Sequence, residues 1–280
     1  MSPATYTRYV AIGDSQTEGL WDGDDTVGVV GYADRLAVMV DAHHPGLLYA
    51  NLAVRGATVG DVLTKQLDHA LSMKPDLICA CAGMNDLLRP GRAFDKALRD
   101  VDYMYDRLAE YQRRAESEVT VLTTTFPAIR DRFPTGRIQA ARLVRLNALI
   151  RAAAARHGYG LVELDKAPSM QLPDTWSPDR MHGSSKGHAR FAAAAAEVLN
   201  LPGSNHDWAH ADLGADLPVF GTGPVTQLYL GHLVILPAVL VGGPVWRLLR
   251  GRRPLKVQMP AAKHFQLEPV TARNDQSSIP

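Results

Sequence analysis

Cysteine is nearly missing from this chain, with only Cys79 and Cys81 among 280 residues. That excludes a disulfide framework. Lying two residues apart in an apolar run, the pair faces one side of a strand and reads as buried core thiols, not as a redox or metal pair. An excess of either charge is missing as well: 30 Lys and Arg stand against 29 Asp and Glu, a formal charge of +1. No global basic field exists to hold nucleic acid, so a nucleic-acid partner is not expected. Internal repeats are absent. A secretory signal is not expected either, because Met1 to Tyr9 is polar and Val10-Ala11-Ile12 is too short for its apolar region; the expected compartment is the cytoplasm. What is present is ordinary globular material, 46% hydrophobic and 21% charged, enough for a sizeable core.

Five short apolar runs alternate with helical patterns over the first 200 residues. The runs are Arg8 to Ile12, Leu48 to Ala53, Leu77 to Ala82, Val119 to Phe126 and Gly160 to Leu164, each bounded by Gly, Pro, Asp or Asn. Such alternation predicts an α/β fold with a parallel sheet between helices. The clearest helix carries Ala97, Leu98, Val101, Met104, Tyr105 and Leu108 on one face and Asp95, Lys96, Arg99, Asp100 and Arg107 on the other. A second runs from about Ile138 to Ala153, with Gly158 placed to end it. Residues 1–200 therefore read as one domain. Residues 201–224, rich in Pro and Gly, read as a linker or a segment laid over the surface. Beyond them, 225–256 is first apolar, as far as Trp246, and then basic, with Arg247, Arg250, Arg252, Arg253 and Lys256. The apolar part has three destinations: the protein's own core, a membrane surface, or a bilayer span weakened by Pro237, Pro244 and its glycines. Residues 257–280 are expected to be disordered.

Four short motifs sit at or beyond the strand ends. Gly13-Asp14-Ser15 follows the first run directly, where an open α/β sheet presents side chains to a ligand crevice. Gly56 closes the second run's loop, and a glycine there lets its N–H approach a bound group. Gly83-Met84-Asn85-Asp86 follows the third run, and Asn85 offers an amide donor. Asp179 and His182 lie beyond the fifth; three-residue spacing on a helical turn puts them on the same face. Together these supply acyl transfer with a nucleophile, a base, a carboxylate and donors. Ser15 is a weak nucleophile until His182 accepts its proton, and Asp179 holds the imidazole. The N–H groups of Ser15 and Gly56 and the Asn85 amide come from three strand ends that a doubly wound sheet places side by side, as an oxyanion hole requires.

These blocks resemble those of the SGNH hydrolase superfamily, the GDSL-like lipases and esterases. All four occur over residues 7 to 200 in the family order, and jointly they are specific. The resemblance implies a three-layer, flavodoxin-like, doubly wound five-stranded sheet. It also implies Ser15 as nucleophile, Asp179 and His182 as its partners, and Ser15, Gly56 and Asn85 as the oxyanion hole. The expected activity is carboxylic ester hydrolysis through an acyl-enzyme, without cofactor or metal, on a small-molecule, lipid or sugar ester. Gln16 stands where the family commonly has leucine. The basic C-terminal extension is similar to those of actinobacterial members; a peripheral membrane contact through 225–256 is one of the destinations its own pattern allows.

Each assignment has a plainer competitor. Asn85-Asp86 also reads as a helix N-cap, and Asp14 as a loop hydrogen-bonder. His188 reads as a packing or surface residue beside Phe191 and Val198, and His43-His44 as a helix end before Pro45. His206 and His210 have metal-compatible spacing without a readable third ligand. Trp176 and Trp21 read equally as pocket walls or as aromatics packed on the sheet edge. The rival function is a flavodoxin-like nucleotide- or phosphate-binding module. It lacks a GxGxxG or GxxxxGK[ST] run and leaves Asp179 and His182 unexplained.

Overall fold

The computed structural model describes residues 5–24, 28–128, 136–210 and 264–270. The apolar runs form strands β1 (Arg8–Gly13), β4 (Leu48–Asn51), β5 (Leu77–Cys81), β6 (Thr120–Thr124) and β7 (Gly160–Val162). Between β1 and β4 lie the short helix α1 (Ser15–Glu18), a two-stranded ribbon of β2 (Gly23–Asp24) and β3 (Gly28–Val29), and helix α2 (Tyr32–His43). Between β4 and β5 the chain makes α3 (Val59–Asp61), a π-wound turn (Val62–Leu67) and α4 (Asp68–Ser72). Helices α5 (Gly91–Arg114), α6 (Gly136–His157) and α7 (Ser185–Val198) follow, and α2 ends at the expected His43-His44 pair.

The strand order is β7-β6-β5-β1-β4, all parallel, which is the flavodoxin-like doubly wound order. Strand residues alternate between two cores, as a sheet covered on both faces requires. Val10 and Ile12 join Phe94, Met104, Leu146 and Ile150 from α5 and α6 on one face. Tyr9 and Ala11 join Leu36, Val40, Phe191 and Ala195 from α2 and α7 on the other. The winding reverses between β1 and β5, so the crevice at their carboxyl ends lies where Ser15 begins α1.

The sheet exceeds the five expected strands. Strand β8 (His264–Pro269) pairs antiparallel with β4, Leu48 opposite Pro269 and Tyr49 opposite Glu268, and Val270 just beyond it is buried. These residues fall in the stretch expected to be disordered. The physical reason is that β4 would otherwise leave an open row of N–H and C=O groups at the sheet edge, and six extended residues suffice to pair it. Residues 201–210, expected to begin a linker or a segment laid over the surface, pack Leu201, Trp208 and Ala209 against the α2/α7 core. The apolar and basic stretches of 225–256 lie outside the described residues.

Candidate active site

The turn after β1 is built around a position only glycine fills. Gly13 has φ +156°, and a Cβ there would lie 2.2 Å from the Cys81 carbonyl oxygen on the neighbouring strand. Gln66, from the π-wound turn, clamps the same peptide. Its Oε1 accepts the Gly13 N–H at 2.8 Å and its Nε2 donates to the Gly13 carbonyl at 2.9 Å, both buried. Asp14 then caps α1, its Oδ1 accepting the Gln16 N–H at 3.1 Å. The chain is thus held on both sides of Ser15, whose own N–H lies in the first helical turn, where amides have no intrahelical acceptor.

Ser15 Oγ is 2.7 Å from His182 Nε2, and His182 Nδ1 is 2.7 Å from Asp179 Oδ2. The sequence expected Asp179 and His182 on a helical turn. They lie instead in a loop of turns, with Arg180 at φ 60°, whose ends are tied by a bridge between Trp176 and Gly183. The three-residue spacing works because Asp179 folds the loop around itself. Its Oδ1 accepts from the Ser177 hydroxyl (2.7 Å), the Met181 N–H (2.8 Å) and the His182 N–H (3.0 Å). Burial pushes the Asp179 carboxyl up, but the hydrogen bond and charge of His182, with the Ser177 hydroxyl and the His182 N–H, outweigh it and hold the group well below the usual carboxylate range.

Two residues beside the motifs make contacts that sequence reading missed. Trp21 was left open between pocket wall and packing; its indole N–H donates to Asp179 Oδ2 at 2.6 Å, sharing that oxygen with His182. It does so from φ 74°, a left-handed conformation that a bulky side chain rarely adopts. Gln16, the departure from the usual leucine, bonds both neighbours of His182: its Nε2 donates to the Met181 carbonyl at 2.6 Å and its Oε1 accepts the Gly183 N–H at 3.2 Å. The sequence signal for Gln16 was the departure itself. Gln66 carried no local signal.

The other expected donors come to the same end of the sheet. Asn85 Nδ2 donates to the Ala57 carbonyl at 3.0 Å, next to Gly56, which leaves its amide a second hydrogen. Gly56 has φ 76° and open space where a side chain would stand. Glu18 ties this loop to α1: its carboxylate accepts the Arg55 N–H at 2.8 Å and pairs with the Arg55 guanidinium at 2.9 Å. The N-cap alternative for Asn85-Asp86 takes another form, since Asp86 Oδ2 accepts the Val59 N–H at the start of α3.

His188 is fully buried. Its Nδ1 accepts the Tyr32 N–H and its Nε2 bonds the Leu20 carbonyl, and burial lowers its pKa to about 4, so it is a neutral packing residue. Cys79 and Cys81 are free and buried, and burial raises the Cys79 thiol to about 11, beyond ready thiolate formation. His206 pairs with Glu197 at 3.0 Å. No group of three metal-binding side chains occurs among the described residues. Nor does any helix among them have the length and apolarity to cross a membrane.

A serine bonded to a histidine bonded to a carboxylate, at the switch point of a doubly wound sheet, is the equipment of an α/β ester hydrolase. Residues 11–190 match the model of the GDSL-like lipase/acylhydrolase family, and the chain belongs to that family. It is accordingly a serine ester hydrolase acting on a small-molecule ester. Among solved structures, LAE5, an alpha/beta hydrolase enzyme from the metagenome of Lake Arreo, Spain, is similar. It is 24% identical, with TM-score 0.56, and the match covers 71% of this chain and 97% of that one. Axe2, an acetylxylan esterase from Geobacillus stearothermophilus, is 18% identical with TM-score 0.55, covering 75% and 100%. A catalytic mutant of Axe2 at a serine gives TM-score 0.58 at 18% identity, covering 74% and 100%. At these identities the structures bear on the fold. No curated protein sequence matches the chain.

Proposed function

We propose that Ser15 is the nucleophile, His182 the general base and then acid, and Asp179 the group that orients and charge-balances the imidazole. Ester cleavage then runs in two halves. Ser15 Oγ bonds to the carbonyl carbon while its proton passes to His182 Nε2. The carbonyl oxygen becomes an oxyanion, held by the N–H groups of Ser15 and Gly56 and the Asn85 amide. Collapse breaks the bond to the alcohol, which leaves with the proton from His182. A water, deprotonated by the same nitrogen, then releases the acid and restores Ser15.

The observation that carries this reading is the continuous pair of 2.7 Å bonds from Ser15 through His182 to Asp179. Ser15→Ala is expected to abolish both ester turnover and labelling by an organophosphonate, because both need one activated hydroxyl. Labelling that survives in the variant moves the nucleophile elsewhere. A membrane contact through 225–256 belongs to this proposal on the sequence pattern. Sedimentation of the full chain with anionic liposomes, lost when 225–256 is deleted, tests the contact.

A further inference from the structure

A narrow slot of about 40 Å³, lined from β5, β7 and α7, lies among the chain neighbours of the reacting groups. Its lining includes Gln16, Met84 and Met181, the chain neighbours of Ser15, Asn85 and His182. Its inner walls are Cys79 and Cys81 on β5, Val162 on β7, and Phe191 and Ala195 on α7.

The polar side chains on this wall are already bonded within the protein. The Tyr32 hydroxyl meets Thr17 and Cys79, Thr123 bonds Tyr105, and Thr124 donates to the Thr125 and Val162 carbonyls. The Gln16 amide holds Met181 and Gly183, and the Trp176 indole donates to the Met170 carbonyl. Beyond a second Gln16 amide hydrogen, little is left on this wall for sugar hydroxyls, and water would find few partners there. A hydrocarbon chain would bury its methylenes without loss.

The reaction distinguishes which half of the ester belongs there. The acyl half stays covalently on Ser15 while the alcohol departs and water enters, so a slot leading into the core suits the half that stays. We propose that this slot is the acyl-chain subsite, and that the preferred substrate is an ester of a linear aliphatic acid longer than acetate. The proposal rests on Ser15 being the nucleophile.

Two ester series test it in the full-length enzyme: p-nitrophenyl esters of acids from acetate to dodecanoate, and acetate esters of alcohols of rising length. With the acids, kcat/KM is expected to rise about fourfold per added methylene until the slot is full, and then to fall. With the alcohols it is expected to be nearly flat. Ala195→Leu and Val162→Phe narrow the slot from opposite walls. Each is expected to lower the ratio of kcat/KM for the best wild-type acid to that for acetate at least tenfold, a ratio independent of how much variant folds. A wild-type optimum at acetate, dependence on the alcohol instead of the acid, or ratios unmoved in both variants would overturn the subsite while leaving the hydrolase intact. Absence of any hydrolysis together with an unlabelled Ser15 would remove the underlying reading and this proposal with it.

Discussion

At the scale of single residues, the carboxylate of Asp179 is shared, and the sharing fixes how it meets the His182 imidazole. The Trp21 indole and the imidazole bond the same oxygen, Oδ2, at 2.6 and 2.7 Å. The indole holds the carboxylate in place, and with it the imidazole that Ser15 meets. Trp21→Phe is expected to lower kcat by about tenfold with KM little changed, because a carboxylate freed to turn orients the imidazole less well. An unchanged kcat in the folded variant would confine the indole to packing. Asp14 gives a second prediction. Burial raises its carboxyl from 3.8 to about 6, with the Gln16 N–H pulling the other way, and its Oδ2 has no hydrogen-bond partner. The folded state therefore binds this proton more tightly than the unfolded state. The stability it contributes is complete below about pH 4 and lost as pH rises through about 6. Asp14→Asn keeps an oxygen for the Gln16 N–H and cannot ionise. Relative to wild type it should therefore gain stability between pH 5 and pH 8, on the order of 2 kcal/mol. Urea melts at the two pH values check the sign; a gain that shrinks with rising pH contradicts it.

At the scale of elements, the π-wound turn between α3 and α4 turns a surface-type residue inward. Winding over Val62–Leu67 brings Gln66 to the Gly13 peptide, where it meets both the N–H and the C=O. Gln66→Ala would leave the Gly13 N–H buried without a partner and its carbonyl with the Val54 N–H alone, a loss of roughly 1–3 kcal/mol. The same change frees the turn that aims Ser15, so kcat is expected to fall along with the melting temperature. Unchanged kcat in a destabilised variant would confine Gln66 to stability. The loop carrying Asp179 and His182 works differently. It has no regular structure, and its shape follows from one carboxylate accepting three local bonds on Oδ1. Motif spacing exposed that pair to sequence reading, although the helical geometry inferred for it was wrong.

At the scale of the whole molecule, the fold reaches past its catalytic motifs. Trp208 packs with α2 and α7, and β8 covers the edge of β4. A chain ending after Pro202 loses both, and one ending after His210 keeps the tryptophan. Burying a tryptophan contributes about 3–5 kcal/mol, and in a domain of this size each kilocalorie shifts the melting temperature by about 2–4 °C. The shorter chain is therefore expected to melt at least about 6 °C below the longer. Both should retain Ser15-dependent hydrolysis of a small water-soluble ester, because every proposed catalytic group lies at or before His182. Equal melting temperatures would restore a boundary near residue 200. A folded shorter chain with no hydrolysis would make residues 203–210 part of the active site.

The sequence by itself determined the five parallel strands and pointed to the proposed reacting groups. Continuous apolar runs define buried parallel strands, and a nucleophile, a glycine and an asparagine at successive strand ends can meet only at the crevice of such a sheet. Tertiary structure decided everything that depends on partners distant along the chain. Trp21 reaches Asp179 across 158 residues, Gln66 reaches Gly13 across 53, and Gln16 reaches Met181 across 165. No local periodicity encodes such pairings, since each hydrogen bond forms only after the helices have packed. The same holds for β8, whose six residues carry little pattern of their own and become a strand because β4 has an unpaired edge to offer. It holds also for the slot beside Ser15, whose walls come from β5, β7 and α7 and exist only once the sheet and the helix have closed on each other.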